Sequence, residues 1–210
     1  MRNQTLASRW AALSTATVHE AAKRTGALPS FIRPLARHLK IAGPAFPVTS
    51  PPGDNLWLHR AIYAAKPGDV LVVDTGGGME FGYWGEVMAV AAQQRGIAGL
   101  VINGGVRDSQ RMIEMSFPVF AGTVCIRGTV KDPKGAGQFG GSIVLGDVAI
   151  AAGDWVLGDA DGVVVVPAAS AADIVAEAER RDAMEQEIFA RLKAGESTIA
   201  IYGLPAEAHP

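Results

Sequence analysis

The charged residues that could do chemistry together are a glutamate and an Arg-Asp pair at the two ends of one apolar stretch. Glu86 stands at its start and Arg107 and Asp108 at its end, with twenty residues between the glutamate and the arginine. An arginine can bind a carboxylate through two parallel hydrogen bonds. An aspartate is a hard oxygen ligand for a divalent ion such as Mg²⁺. These residue types are compatible with a site for a small carboxylic acid and a metal ion.

The same residues also fit a purely structural role. Asp108 could cap a short helix that begins at Ser109, and Arg107 could pair with it as an ordinary surface ion pair. Glu86 could lie at the surface and interact favourably with the dipole of its own helix. The residue types alone leave both interpretations open.

The elements around this stretch decide whether its two ends can meet. The segments "DVLVVD" (69–74) and "IAGLVIN" (97–103) are typical of buried strands, and the pattern between them predicts a helix from about 84 to 95. "GGVRD" (104–108) is predicted as a turn. Open α/β sheets usually bind ligands at the carboxyl ends of their strands. We therefore expect Glu86 and the Arg-Asp pair to converge on one ligand at that edge.

Two glycine-rich segments could approach a ligand closely. "TGGGMEFGYWGE" (75–86) lies between a predicted strand and a helix, whose first N–H groups could bind an anion. It lacks the Gly-Lys-Ser/Thr ending of a phosphate loop, so a small carboxylate suits it better than a nucleotide; a simple tight turn is the alternative. "GAGQFG" (135–140) has dinucleotide-fingerprint spacing, but it leads into a strand and is predicted to be a loop.

The remaining patterns indicate a layered α/β architecture and not a regular doubly wound sheet. Strands and helices alternate in the middle of the chain, and mainly strands follow. The predicted elements are two N-terminal helices between Thr5 and about Thr25, a strand over 38–48, a helix capped by Asp54 or Asn55, strands over 118–125 and 141–150, a hairpin with its turn at Asp159 to Gly162, and a long helix from Ser170 to about Ala194.

Composition narrows the classes of protein and partner. A chain of 210 residues with 49% hydrophobic content is expected to form one domain, residues 1–210, with a frayed tail from 203. Its net charge of −2 disfavours nucleic acid as a partner. The single cysteine, Cys125, is expected to be a buried small residue in a reducing compartment. No signal peptide or membrane-spanning run is apparent, so a cytoplasmic location is expected.

Taken together, "GEVMAVAAQQRGIAGLVINGGVRD" resembles the signature of the RraA-like family, in particular its class II pyruvate aldolases. The aldolase pattern is an acidic residue, twenty intervening residues and then Arg-Asp, which Glu86, Arg107 and Asp108 reproduce. The likeness continues through "KPGDVLVVD", "FPVFA", "GDWVLGDADGVVVVP" and "LKAGEST" and covers nearly the whole chain. The family also contains regulators of ribonuclease E, so a non-enzymatic binding protein is the alternative.

The resemblance implies a fold, an assembly and a reaction. The fold would be α/β, a β/β/α sandwich of the swivelling-domain type with N- and C-terminal helices. The chains would form trimers or hexamers with active sites between subunits. The enzyme would cleave 4-hydroxy-4-methyl-2-oxoglutarate or 4-carboxy-4-hydroxy-2-oxoadipate to release pyruvate, and it would also decarboxylate oxaloacetate.

The resemblance also implies residue roles. Asp108 would bind Mg²⁺ largely through water, and Mn²⁺ or another divalent cation could replace it. Arg107 would hold the carboxylate and keto-oxygen region of the pyruvyl group. Glu86 would position or activate a water. The substrate pocket would be completed by backbone amides around Gly82, Tyr83, Trp84, Gly85 and Glu86.

Two further positions follow from the comparison with the family pattern. A glutamate of the C-terminal helix would reach the neighbouring subunit's site, and counting back from "LKAGEST" identifies Glu185, with Glu187 as the alternative. Asn103 stands where many relatives carry aspartate, which removes one charge near the site.

Overall fold

The structure is a computed structural model that describes residues 5–205. The predicted frayed tail therefore lies mostly outside the described residues. The helices are α1 Leu6–Ala12, α2 Thr15–Ala21, α3 Leu56–Ala64, α4 Glu86–Gln94, α5 Ser109–Glu114, α6 Ala171–Lys193 and α7 Thr198–Tyr202. The strands are β1 Arg33–Pro34, β2 Ile41–Thr49, β3 Val70–Asp74, β4 Gly82–Trp84, β5 Gly99–Val106, β6 Val119–Val124, β7 Gln138–Phe139, β8 Ser142–Leu145, β9 Val148–Ala151, β10 Trp155–Asp159 and β11 Gly162–Val166.

The main sheet curves until its two ends approach each other. Its order is β1-β6-β5-β3-β2-β10-β11, with β4 paired to β5 and β7 paired to β2. Strands β2, β3, β5 and β6 run parallel, whereas β10, β11 and β1 are antiparallel to their neighbours. At the two ends, the Arg33 guanidinium donates a hydrogen bond to the Asp161 carbonyl. The sheet is thus nearly closed.

Side chains of the central strands point alternately to the two faces of the sheet and so belong to two separate apolar layers. Val70 and Val72 of β3 face the interior of the curved sheet, where the β8–β9 hairpin covers it with residues such as Ile143. Leu71 and Val73 face the opposite side, against helices α3, α4 and α5. Successive side chains of a strand point to opposite faces, so one continuous apolar run can serve both layers. The predicted β/β/α sandwich is confirmed.

The N- and C-terminal helices pack together on the antiparallel end of the sheet. Trp10 of α1 and Val175 of α6 lie with Leu157 and Val164 in a third apolar cluster. The Arg9 guanidinium donates two hydrogen bonds to the Glu179 carboxylate, at 2.7 and 2.6 Å, and so joins α1 to α6. The buried residues of α6 are confined to its first eight positions, so its second half extends beyond the core.

The structure differs from the sequence prediction in several segments: β1, β7 and α7 were not predicted, and β7 lies in the segment 135–140 that was predicted to be a loop. The segment "GGV" (104–106), predicted as a turn, continues β5, because the unpredicted strand β4 pairs alongside it with Gly82 opposite Gly105. The predicted strand over 141–150 is the β8–β9 hairpin, and its turn contains Gly146 in the left-handed region with φ of 65°. In the described part of the chain, no helix combines the length and the apolar character that a membrane span requires.

Candidate functional site

A cleft of about 230 Å³ lies at the carboxyl end of β5. Arg107 and Asp108, which follow β5 directly, line one part of it. Asn55 and His59 at the start of α3 and Lys131 from the loop after β6 line the rest of its polar surface. The cleft therefore collects polar and charged groups from three separate segments at the edge where the sequence predicts a ligand site.

Strand β4 places the Arg-Asp pair by running very close beneath it. The Arg107 backbone N–H donates to the Trp84 carbonyl at 2.8 Å. A Cβ atom on Gly85 would lie 2.3 Å from Asp108 Oδ2, and one on Gly82 would lie 2.4 Å from the Cys125 carbonyl oxygen. Both distances are too short for nonbonded atoms. The Gly82 contact is with rigid backbone and requires glycine, whereas a Cβ on Gly85 would displace the Asp108 carboxylate.

Asp108 adopts a backbone conformation that aspartate seldom takes. Its φ of 54° lies in the left-handed region. This backbone conformation costs on the order of 1–3 kcal/mol, which the surrounding contacts must offset. It occupies the N-cap position of α5 but makes no side-chain capping hydrogen bond. Its Oδ2 instead accepts a hydrogen bond from the Glu86 backbone N–H at 3.1 Å. The capping interpretation of Asp108 is therefore wrong, and the two ends of the apolar stretch do converge.

The Arg107 guanidinium is available to a ligand. Its Nε is 4.0 Å from Asp108 Oδ2, at the outer limit of an ion pair, and both side chains are about half exposed. Within residues 5–205, no hydrogen bond from this guanidinium to another side chain or to the backbone is present. Its donors can therefore make the paired contact that a carboxylate accepts.

Glu86 is the first residue of α4 and is exposed. Its backbone N–H contacts Asp108, while its carboxylate makes no hydrogen bond or ion pair within the described part of the chain. The structure thus brings Glu86 to the rim of the cleft through its backbone. Its proposed action on a water stays a prediction.

Tyr83 and Trp84, predicted to bind substrate, are both fully buried. Tyr83 lines the inner part of the cleft, and its hydroxyl oxygen accepts a hydrogen bond from the Gly53 N–H at 2.7 Å. Burial raises the pKa of the Tyr83 phenol, so it stays protonated at neutral pH. The Trp84 indole stacks on Phe117 in the core, outside the cleft. Any role of Trp84 in binding would therefore come from its backbone.

Three polar residues of the cleft were not predicted from the sequence. Asn55 donates a hydrogen bond from Nδ2 to the Tyr83 carbonyl at 2.8 Å, which joins α3 to β4. His59 follows one helical turn later on the same face, a spacing that could have drawn attention to it. Lys131 comes from an irregular loop, and no sequence pattern links that loop to the cleft.

His59 is the one imidazole of this group, and its surroundings favour the neutral form. Partial burial lowers the pKa of His59, and the positive charge of Lys131 lowers it further. A neutral imidazole presents one hydrogen-bond donor and one acceptor. The cleft therefore contains the cations Arg107 and Lys131, the Asp108 carboxylate and an uncharged His59.

Asn103 belongs to a structural network beside β3. Its Oδ1 accepts hydrogen bonds from the Thr75 N–H at 2.8 Å and the Thr75 hydroxyl at 3.0 Å. Its Nδ2 donates to Asp74 Oδ1 at 2.8 Å. An aspartate at position 103 would place two carboxylates in direct contact, so with Asp74 present the amide is the better partner.

The structure does not bring the two candidate glutamates of the C-terminal helix to this cleft within one chain. Glu185 pairs with Arg181 at 3.3 Å, one turn back along α6. Glu187 is exposed and lines a shallow groove between α6 and α7. Both lie on the half of α6 that extends beyond the core.

The arrangement at Asp108 fits a hydrated Mg²⁺ ion. Among residues 5–205, no group of three or more His, Cys, Asp or Glu side chains is placed to hold a metal. Mg²⁺ commonly keeps several waters and binds one or two carboxylates together with the substrate. Asp108 has one carboxylate oxygen without a hydrogen bond, beside the Arg107 guanidinium. Asp108 could therefore contribute one ligand to an ion of this kind, whereas a structural zinc site needs four protein ligands.

Two other clefts of the described structure have less suitable groups. One, of about 230 Å³, lies under α1, but the Asp159 carboxylate there already accepts hydrogen bonds from the N–H and hydroxyl of Thr15. The other, of about 400 Å³, lies beside Arg24, whose guanidinium is already paired with Glu20. The Arg107 cleft is therefore the candidate functional site.

Sequence comparison identifies the class of protein that this fold and cleft represent. The family model described as RraA-like, Aldolase/RraA, matches residues 15–165. The chain belongs to the RraA-like family. A relative from Halalkalibacterium halodurans, provisionally named 4-hydroxy-4-methyl-2-oxoglutarate aldolase, is 35% identical over 159 residues, which cover 76% of this chain and 75% of the relative.

Solved structures agree with this assignment. A protein from Pseudomonas syringae pv. tomato, described as uncharacterized, matches with a TM-score of 0.81 and 27% identity, covering 91% of this chain and 90% of the other. Streptomyces coelicolor RraAS2, described as an unusual member of the RNase ES inhibitor RraA family, matches with a TM-score of 0.74 and 28% identity, covering 90% and 97%. The RraA-like fold is confirmed.

The environment of His59 can be tested by titration. We expect NMR to show the His59 pKa below the ordinary value for histidine, because burial and Lys131 both disfavour the imidazolium. Lys131→Met should move the pKa part of the way back, whereas Lys134→Met, from the same loop, should leave it unchanged. A His59 pKa at or above the ordinary value would contradict the described cleft.

Proposed function

We propose that this protein is a divalent-metal-dependent aldolase that cleaves 4-hydroxy-4-methyl-2-oxoglutarate or 4-carboxy-4-hydroxy-2-oxoadipate to pyruvate and a second 2-oxo acid, and that also decarboxylates oxaloacetate. The observation that carries the proposal is that Arg107 and Asp108 line one cleft and that the backbone N–H of Glu86 donates a hydrogen bond to Asp108 at its edge. The name of the Halalkalibacterium halodurans relative supports the same class of reaction.

Arg107 and Asp108 would divide the binding of the pyruvyl group between them. The Arg107 guanidinium, half exposed and without a close partner, would hold the carboxylate and lie near the keto oxygen. Asp108 would hold Mg²⁺ through the oxygen that Glu86 does not contact. The bound ion would supply Lewis-acid stabilisation of negative charge on the keto oxygen.

The proposed cleavage needs one base and one group that stabilises an enolate. A water positioned by the Glu86 carboxylate would take the proton of the C4 hydroxyl. The C3–C4 bond then breaks, the C4 carbon becomes the new carbonyl, and the electron pair remains on the pyruvate enolate beside Arg107. Protonation of C3 yields pyruvate. Loss of CO₂ from oxaloacetate produces the same enolate, so the same groups would serve both reactions.

A neighbouring subunit would complete the site. We propose that the chain forms trimers or hexamers and that Glu185 reaches from the extended half of α6 to the cleft of the next subunit, with Glu187 as the alternative. The exposed position of this half of α6 supports the proposal.

The second candidate is a regulator that binds a ribonuclease, as the name of Streptomyces coelicolor RraAS2 describes for that protein's family. The similarity to that structure, with a TM-score of 0.74 over nearly all of both chains, is the observation that favours this second function. Tight binding of a ribonuclease by purified protein that releases no pyruvate with Mg²⁺ or Mn²⁺ would support this function over the aldolase.

Metal removal tests the leading proposal directly. Purified protein with Mg²⁺ should release pyruvate from oxaloacetate, and excess EDTA should abolish the release because Arg107 without the Lewis acid cannot stabilise the enolate sufficiently. Adding back Mg²⁺ or Mn²⁺ should restore it. Release that persists after thorough chelation would exclude the metal-dependent mechanism.

Arg107→Lys tests the role of the guanidinium. We expect turnover to fall by about a hundredfold or more, because an ammonium cannot reproduce the paired contact with a carboxylate. The melting temperature should be nearly unchanged, since Arg107 is half exposed and makes no close ion pair. Arg111→Lys, at an exposed position of α5, is the matched control. Near-normal turnover of the Arg107 variant would contradict its assigned role.

Subunit mixing tests the shared site. We expect Glu185→Ala and Asp108→Ala homo-oligomers each to have little activity. Exchange between them should restore part of it, because some clefts would pair an intact Asp108 with an intact Glu185. If labelled subunits are shown to exchange and activity does not return, Glu185 does not complete a neighbour's site; Glu187→Ala then enters the same test.

A further inference from the structure

Asn103 of β5 connects the carboxyl ends of β3 and β5 through both ends of one amide. Its Oδ1 accepts hydrogen bonds from the Thr75 N–H at 2.8 Å and from the Thr75 hydroxyl at 3.0 Å. Its Nδ2 donates to Asp74 Oδ1 at 2.8 Å, and the Gly76 N–H donates to the same oxygen at 3.0 Å. A single side chain of β5 therefore binds the turn that follows β3.

The Thr75 side chain extends this network toward β4. Thr75 and Tyr83 are both fully buried. A Cβ on Gly104 would lie 2.7 Å from Thr75 Cγ2 and 3.1 Å from Tyr83 Cδ2, so both side chains pack on the same stretch of β5 backbone. Burial raises the pKa of the Tyr83 phenol, while the Gly53 N–H and the Thr75 hydroxyl partly offset the rise. The two buried hydroxyls therefore lie near each other.

Tyr83 is also held by the segments that precede α3 and follow β3. Its hydroxyl oxygen accepts a hydrogen bond from the Gly53 N–H at 2.7 Å. A Cβ on Gly78 would lie 1.9 Å from the same oxygen, so the hydroxyl fills the space beside that turn. Strand β4 has three residues, all of them buried. Because so short a strand has little stability of its own, these contacts determine where it lies.

Strand β4 in turn determines the position of the Arg-Asp pair of the candidate site. The Trp84 carbonyl accepts a hydrogen bond from the Arg107 N–H at 2.8 Å. The Glu86 N–H donates to Asp108 Oδ2 at 3.1 Å. A displacement of Tyr83 would move both contacts, because their β4-side partners follow it directly in the chain. The contacts therefore run without interruption from the amide of β5 to the candidate site.

An amide is the group that this network needs at position 103. Asp74 forms no ion pair with a lysine, arginine or histidine in the described part of the chain, so it needs a neutral hydrogen-bond donor. Asparagine supplies that donor at every pH. Tyr83 is the other titratable group of the network, and burial keeps it protonated. An aspartate at 103 would keep the contact only while one carboxyl holds a proton, because adjacent carboxylates repel each other.

We propose that Asn103 is a positioning residue of the candidate site, which holds β4, and with it Arg107 and Asp108, in one place across the neutral pH range. Asn103 is not among the residues that line the cleft, so it acts through Thr75 and Tyr83. The proposal rests on the proposed function only where enzymatic activity is measured.

Exchanging the two polar groups separates their pairing from their identity. Asn103→Asp places two carboxylates in contact, and adding Asp74→Asn to it restores one amide opposite one carboxylate. Gln94→Glu, at an exposed position of α4, is the matched control because it adds the same charge outside the network. Circular dichroism at each pH determines whether each variant is folded.

Amide hydrogen exchange at the Arg107 N–H reports the contact with β4 without any need for activity. After correction for intrinsic exchange, protection in the wild type should stay constant from about pH 5.5 to about pH 8.5. In Asn103→Asp it should fall by about tenfold toward the alkaline end, the size expected for residues of one network. The double variant should recover most of this protection, and Gln94→Glu should behave as the wild type.

Pyruvate release from oxaloacetate with Mg²⁺ is the second readout. The kcat/KM of Asn103→Asp, relative to the wild type, should fall by about tenfold over the same pH range and should return in the double variant. A purely structural role of the side chain would give a loss that does not follow the pH and is not restored by exchanging the two groups.

The exchange measurement decides the proposal independently of the aldolase reaction. Unchanged Arg107 protection in Asn103→Asp would overturn it, as would a folded double variant that does not recover. The expected exchange pattern in a protein that releases no pyruvate would support the positioning role and reject the aldolase. If Asn103→Asp unfolds at alkaline pH, the double variant decides: wild-type protection supports the pairing, and lost protection contradicts it.

Discussion

The pairing of β4 with the end of β5 is the interaction on which the candidate site depends. Gly82 lets β4 pass close to the Cys125 carbonyl and the Arg107 side chain, and Gly85, which follows β4, leaves room for the Asp108 carboxylate. This approach holds Asp108 in the left-handed region and directs its carboxylate to the Glu86 N–H. Glu86 and Asp108, which are separated in the sequence by a helix and a strand, thereby become neighbours. The contacts at this edge of the sheet offset the backbone strain at Asp108.

The same edge determines what kind of ligand the cleft suits. The parallel strands bring Arg107 and Asp108 to one side, and α3 presents Asn55 and His59 at the other. Hydrogen bonds from the cleft residues to backbone groups lock these segments together, as the Asn55 contact to the Tyr83 carbonyl illustrates. The Arg107 guanidinium and the Asp108 carboxylate are only weakly paired within the described part of the chain. These groups therefore suit a small anionic ligand and a hydrated cation.

The fold accommodates relatives with different assigned activities. The chain matches a relative named as an aldolase and a structure named within a ribonuclease-inhibitor family, so the sandwich itself does not determine function. What can differ is the chemistry at the rim, where the side chains of Glu86 and Lys131 are exposed and do not belong to the core. The function of this chain is therefore argued from its cleft and not from its architecture.

Periodicity and residue type determined the long elements and the three residues at the ends of the apolar stretch. A buried strand such as β3 and the amphipathic α6 contain enough residues for their pattern to predict them, and Glu86, Arg107 and Asp108 matched a recognisable spacing. Only the tertiary structure showed β4, because three residues carry no period and the strand exists only through its pairing with β5. It alone also brought His59 and Lys131 together, because the Asp54 carboxylate accepts a hydrogen bond from the Asp132 N–H, 78 residues further along the chain, and no local pattern encodes such a contact.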